Sequence, residues 1–280
     1  MVKITAIATL VNEFAMTDLK VLLFTLELWN TPAPTVYIFS DKKSVPLIKI
    51  LSYSGKIHIK EDALNAYTGL NRRAMESRQG RIFKTLFADF TAEKTALMEW
   101  ALQTEPEGVL FCDADICHLA ALPVLPDGTE LALSPHMIRR SDTALYGIYN
   151  AGYLWFKNPA IAERWRELCK TSRFFEQGCL EELAEDVQLY EFPIQVNYGW
   201  WRMWQGERSA PTLQNEWAIF RSPDSSGITV QKETLQSIHT HWAEKSDKAT
   251  SEFNSWVLTF LARLSSVKKT QSLMRFLSKI

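Results

Sequence analysis

Apolar and polar positions in the first ninety residues alternate between two periods. Residues 4–11 (ITAIATLV) form a near-continuous apolar run and predict a buried strand, and residues 17–29 (TDLKVLLFTLELW) predict a helix with Thr17 at its cap. After Pro32 and Pro34, residues 35–41 (TVYIFSD) predict a second strand. A short helix to Leu51 and a third strand at 56–61 (KIHIKE) follow. Strand and helix in this alternation imply a parallel sheet wound with right-handed crossovers.

Residues 62–80 are polar and irregular, with Asn65, Gly69, Asn71, Arg72, Arg73, Arg78 and Gly80, and read as a loop lying over something. A helical pattern then runs from Arg81 to Leu102, carrying Ile82, Leu86, Phe90, Leu97 and Leu102. TEPEG breaks it and leads into VLFCDADICHL, residues 109–119. Beyond 120 the pattern predicts a strand at 129–134 among Pro123, Pro126 and Pro135, a polar loop (RRSDTALYG), and a strand IYNAGYLWFKN interrupted by Asn150 and Gly152. Helices at 159–171 and 178–189, a loop-like aromatic stretch YGWWRMW (198–204) and a late strand into SIHTHW (237–242) complete the body. No repeat or low-complexity tract is present.

Composition narrows the class. With 280 residues, 46% of them hydrophobic, the chain is long enough for a large core, and its net charge of −1 argues against general nucleic-acid binding. Cys112, Cys117, Cys169 and Cys179 form no CxxC pair or zinc spacing and are expected to be reduced thiols of a cytoplasmic protein. The start reaches a polar Asn-Glu pair too soon for a signal peptide. The most apolar stretch, 16–29, carries Asp18, Lys20 and Glu27, so no membrane span is expected.

The chemistry concentrates at Asp113 and Asp115. On a strand, positions i and i+2 share a face, so two like charges are predicted to meet at a strand's end, where open α/β sheets collect ligands. Burying such a pair unpaired is costly, and a divalent cation removes the conflict. Mg²⁺ and Mn²⁺ take carboxylates together with substrate phosphates, which suggests a metal that carries a diphosphate.

An apolar run ending in Asp-x-Asp resembles the DxD signature of GT-A glycosyltransferases, which use nucleotide-sugar donors. The resemblance extends to the subgroup of glycogenin and the bacterial lipopolysaccharide galactosyltransferases: a lysine on the preceding helix (Lys94), an Asn-Ala-Gly strand (Asn150, Ala151, Gly152) and a late histidine (His239 or His241). It covers about residues 2–245. It implies an α/β, Rossmann-like GT-A fold with a mostly parallel sheet flanked by helices, over 1–245, followed by a helical C-terminal segment at 246–280.

The same resemblance implies a retaining transfer of a sugar from a nucleotide-diphosphate sugar to a glycan or glycolipid acceptor, with Mn²⁺ or Mg²⁺ as cofactor. Asp113, Asp115 and one or both of His239 and His241 would bind the metal, with Asp113 also near the ribose. Lys94, Arg81 or Lys84, Leu10, Asn12 and Gly152 would meet the nucleotide. Asn150 and Asp186, the latter in EDVQLY as the acidic segment beside the acceptor, would serve the reaction. The ending HTHWAEKSD lacks the glycine and proline of the glycogenin-type His-x-x-Gly-x-x-Lys-Pro-Trp. Two other classes fit parts of the pattern: a haloacid-dehalogenase-like phosphatase, and a non-catalytic carbohydrate- or nucleotide-binding module using Trp200, Trp201 and Trp204. Phe253, Trp256, Val257, Phe260, Leu261 and Leu264 recur at helical spacing beside Arg263, Lys268, Lys269, Arg275 and Lys279. Such a helix suits either peripheral contact with the cytoplasmic membrane face or packing onto the domain or a second subunit.

Overall fold

A computed structural model of the chain describes residues 1–222, 226–242 and 247–280. Ten strands position the site: β1 (Ala6–Val11), β2 (Thr35–Ser40), β3 (Ile57–Lys60), β4 (Val109–Cys112), β5 (Ile116–His118), β6 (Leu131–Pro135), β7 (Tyr149–Phe156), β8 (Leu189–Glu191), β9 (Tyr198–Gly199) and β10 (Ser237–His239). Seven form the central sheet in the order β8-β6-β7-β4-β1-β2-β3. Only β7 runs against its neighbours. A small second sheet has the order β9-β10-β5.

Position in the sheet explains the sequence patterns. β1, β4 and β7 lie inside the sheet and are buried along their whole length, so they carry no in–out alternation, and only Asn150 and Gly152 interrupt the apolar run of β7. β3 is an edge and alternates buried-side and exposed residues. Along β1, Ile7 and Val11 pack with Leu19, Leu22, Leu23 and Leu26 of helix α1 (Met16–Trp29) on one face. Ala6, Ala8 and Leu10 pack on the other with Leu97, Met98 and Ala101 of helix α2 (Leu86–Leu102) and Ile161, Ala162 and Trp165 of helix α3 (Pro159–Cys169).

Several boundaries differ from the sequence reading, each for a local reason. Asn12, not Thr17, makes the turn into α1, its Oδ1 accepting the Phe14 N–H at 3.1 Å. Helix α2 begins at Leu86 because Thr85 caps it and the Asp89 carboxylate accepts the N–H groups of Arg81, Ile82 and Phe83, folding 81–85 back on the first turn. The expected 62–80 loop contains a 3₁₀ turn (Asn65–Tyr67) and a short helix (Arg72–Glu76). The helix expected over 178–189 is one turn, Leu180–Leu183, and the 198–204 stretch holds β9 and a short helix, Trp201–Gln205.

Helices α4 (Lys248–Arg263) and α5 (Lys268–Leu277) complete the chain. Phe253, Val257, Phe260, Leu261, Leu264 and Leu273 are buried in one cluster with Tyr198, Trp217, Ile228 and Ile238. Phe276 stacks on Phe24 of α1, ring centroids 4.1 Å apart. The apolar stripe is therefore covered by the domain, while Arg263, Lys268, Lys269, Arg275 and Lys279 face outward. The boundary expected at 245/246 lies outside the described residues. No described helix is long and apolar enough to cross a membrane. All four cysteines are buried, free thiols.

Candidate active site

Strand β4 stops at Cys112. The Asp113 N–H donates to Gly152 O (2.9 Å) and the Ile116 N–H to Asp113 O (3.1 Å), so residues 113–116 form a tight turn into β5. The two aspartates thus project from a turn at the carboxyl edge of the sheet and not, as expected, from one strand face. Their carboxylates converge nonetheless. His239 Nε2 stands 3.1 Å from Asp115 Oδ1 and 3.9 Å from Asp113 Oδ2. One ligand atom from each of Asp113, Asp115 and His239 lies within 4.8 Å of the others.

The second sheet delivers the histidine. β10 pairs antiparallel with β5, placing His239 opposite Ile116, and the Thr240 N–H donates to Asp115 O at 3.0 Å. A chain of hydrogen bonds then fixes the imidazole. The Gly152 backbone N–H donates to Asn150 Oδ1 (3.0 Å), so that atom is an acceptor and takes a second bond from Asn197 Nδ2 (3.0 Å). Asn197 Oδ1 is left facing His239 Nδ1 at 3.2 Å and must accept from it. With Nδ1 held by Asn197, His239 turns Nε2 toward the two carboxylates. Two carboxylates and an imidazole nitrogen gathered in this way are ligand types that could hold a divalent cation.

Space is equally restricted. A Cβ on Gly152 would fall 2.4 Å from His239 Cε1, 2.5 Å from Asp113 Oδ2 and 2.9 Å from Asn150 Oδ1. The ring of Trp201 packs edge-on against His239, centroids 4.8 Å apart.

Lys94, 5% exposed, reaches the cluster from α2. Its Nζ lies 3.0 Å from Asp113 Oδ1 and 2.8 Å from Glu176 Oε1, and donates to Ala151 O at 3.1 Å. Burial works against its charge, but Asp113 and Glu176 outweigh burial and hold it protonated. Burial raises the Asp113 carboxyl, with Lys94 opposing. Burial also acts to raise Asp115, yet His239 and His241 hold it well below the usual carboxylate range. His241 Nε2 is 3.3 Å from Asp115 Oδ2, and its Nδ1 is 2.9 Å from Asp18 Oδ2 on the first turn of α1. Asp115 pushes the His241 imidazole up to about 9 against burial, with the Asp18 hydrogen bond adding to the rise.

The structure thus brings together Asp113, Asp115, Lys94, Asn150, Gly152, His239 and His241. Leu10 is buried in the core, and Asn12 ends β1 with Nδ2 donating to Leu70 O at 3.4 Å. Arg81 and Lys84 are exposed on the bend before α2. Asp186 is elsewhere. The row Leu189–Leu131–Phe156–Val109 crosses the sheet at the amino end of β4, and Asp186 precedes it in a salt bridge to Arg164 (3.0 Å). That is the edge opposite Asp113, so the segment EDVQLY does not reach the cluster.

An acid–amide pair earlier in the chain does reach it. Glu176 holds Lys94, while Gln177 Oε1 accepts from Asn150 Nδ2 (3.3 Å) and the Ala151 N–H (3.1 Å). Sequence reasoning missed this pair together with Asp18 and Asn197. The dipeptide Glu-Gln within FFEQGC was the available signal.

The order of strands, the flanking helices and the acidic turn at the carboxyl edge define a GT-A glycosyltransferase fold. A search of solved structures finds the glycosyltransferase GlyE of Streptococcus pneumoniae, at 14% identity and a TM-score of 0.55 over 99% of this chain. The chain spans 64% of the length of GlyE. Mouse xyloside xylosyltransferase 1 is also found, at 11% identity and a TM-score of 0.45, covering 71% of this chain and 90% of that one. No protein-family model matches the sequence, and no curated protein matches it. Nothing in the fold or the comparisons supports the phosphatase alternative.

Proposed function

We propose that the chain transfers a sugar from a nucleotide-diphosphate sugar to a glycan acceptor with the help of a divalent cation. The observation that carries this reading is the convergence of His239 Nε2 with the Asp113 and Asp115 carboxylates on a GT-A fold. Asp113, Asp115 and His239 would hold the cation. Two carboxylates and an imidazole suit Mn²⁺ better than Ca²⁺, which prefers oxygen ligands alone. When bound, such a cation stabilises the negative charge that grows on the departing nucleoside diphosphate.

The remaining residues have assignable work. Asn150, Asn197 and Gln177 orient His239 and the Asn-Ala-Gly strand. Gly152 leaves the volume that a side chain would take from the cluster. Asp18 holds His241 against Asp115 from behind, as carboxylates commonly orient histidines near metals. Lys94, shared by Asp113 and Glu176, places one positive charge between those two acids. Among the described residues, Asp18, Asp113, Asp115 and Glu176 are each engaged by Lys94 or an imidazole. No carboxylate at the cluster is left free as a general base, and this favours transfer with retention.

The test is a screen of nucleotide sugars, UDP-sugars first, for Mn²⁺-dependent hydrolysis by the full chain. Asp115→Ala is expected to lower the rate by roughly 10²–10³, the usual loss when a group stabilising leaving-group charge is removed. Normal turnover by Asp115→Ala, or hydrolysis indifferent to chelation, would contradict the reading.

A further inference from the structure

A cavity of about 370 Å³, its wall including Ile138, Ile148, Tyr149, Ile194 and Leu213, has Arg202 and Tyr198 in its lining. Arg202 is 3% exposed, and among the described residues no carboxylate pairs with it. Its Nη2 donates to Pro135 O (2.8 Å) and Asn197 O (3.3 Å), and its guanidinium lies 5.1 Å from the centre of the Tyr198 ring. Nε is buried without a partner, and so is the Tyr198 hydroxyl. An unpaired buried cation is costly, and proteins rarely keep one without an anion to meet it.

The other charged groups on the lining do not serve as that anion. Glu191 is exposed and accepts from the Tyr149 hydroxyl at 2.6 Å. Glu207 is exposed, and Arg208 is paired with Glu216. The buried charge on the lining is therefore positive and the wall apolar and aromatic, a combination suited to a sugar ring carrying an acid. One free guanidinium balances one negative charge, as a carboxylate supplies and a phosphate monoester near neutral pH exceeds. The cavity borders the cluster closely: Asn197, whose carbonyl takes Arg202, has the side chain that fixes His239.

We infer that this cavity is a subsite for a carboxylate-bearing pyranose, whose acid meets Arg202 and Tyr198 while its ring lies against the apolar wall. Its use as an acceptor seat rests on the glycosyl-transfer reading; its preference for an acid does not. The test titrates the full chain with methyl β-D-glucuronide and with its neutral twin, methyl β-D-glucoside, by calorimetry or ligand-observed NMR. The glucuronide is expected to bind at least about tenfold tighter, the scale of one charge-assisted hydrogen bond. Arg202→Gln should abolish that preference. Ile148→Trp, which fills the cavity from its half-exposed wall and keeps Arg202, should weaken the glucuronide and covers the case in which Arg202→Gln does not fold. Equal affinities, binding of neither glycoside, or a preference that survives Ile148→Trp would overturn the inference. A glucuronide preference in a protein that hydrolyses no nucleotide sugar upholds the subsite and removes the transfer reading. Hydrolysis without the preference overturns the subsite alone.

Discussion

At Gly152 the absence of a side chain is set by its neighbours: a ring carbon of His239 and the side-chain oxygens of Asp113 and Asn150 crowd the place where a Cβ would stand. Gly152→Ala is expected to cost about 1–3 kcal/mol through overpacking, read as a lower urea midpoint, and to weaken metal binding as His239 and Asp113 move apart. Asn197 acts more selectively. It holds the ring of His239 through Nδ1 without touching Asp113 or Asp115, so Asn197→Leu should lower Mn²⁺ affinity about 10–100-fold, the range for lost outer-shell partners. Unchanged affinity in a folded Asn197→Leu would detach the hydrogen-bond chain from the metal. At this scale the residues that converge in the cluster were legible in the sequence, but not their supports. Asp113, Asp115, Asn150, Gly152 and the two histidines stand in recognisable local patterns. Asn197 and Asp18 are set by contacts between segments far apart in the chain, and no local spacing announces them. Glu176 and Gln177 sit in a turn with Phe175 at positive φ, where no helical or strand period guides the eye.

Among the elements, β5 and β10 form a clasp: the turn at 113–116 and the His239 strand are hydrogen-bonded partners, so their pairing sets the cluster's dimensions. Helix α4 braces the same segment, since Asn254 Nδ2 donates to His241 O at 2.9 Å and its Oδ1 accepts from the Thr240 hydroxyl at 2.6 Å. His118, at the end of β5, gives the clasp a pH dependence. Burial lowers its imidazole to about 3, below the unfolded reference of 6.5. Its contribution is therefore complete above pH 6.5 and is lost as pH falls toward 3, because the unfolded chain takes up a proton that the folded one refuses. Urea unfolding from neutral pH down to about pH 4 should show stability falling, and His118→Phe should flatten that slope by up to one proton. An identical slope in the variant would mean that His118 titrates normally in the folded chain. The apolar period of α4 was plain in the sequence, yet periodicity cannot say what a stripe packs against; the cluster around Tyr198 and Trp217 answers it.

Across the whole molecule, the alternation of strand and helix in the first ninety residues announced the parallel part of the sheet, and β1 and β4 read as interior strands because strands covered on both faces carry no alternation. The short second sheet was harder to read, since β5, β9 and β10 have two or three residues each. EDVQLY was misplaced for a topological reason: β8 joins the sheet in parallel with β6, which puts the residues before it at the amino edge. The carboxyl edge is where acids, imidazoles and Lys94 collect, and the account stands or falls on a cation being held there. Titration of the full chain with Mn²⁺ in the presence of UDP, followed by loss of the free-ion EPR signal, measures this directly. The account predicts one saturable site that disappears in Asp115→Ala and in His239→Ala while both variants remain folded. Equal Mn²⁺ uptake by the two variants and the parent chain would contradict it.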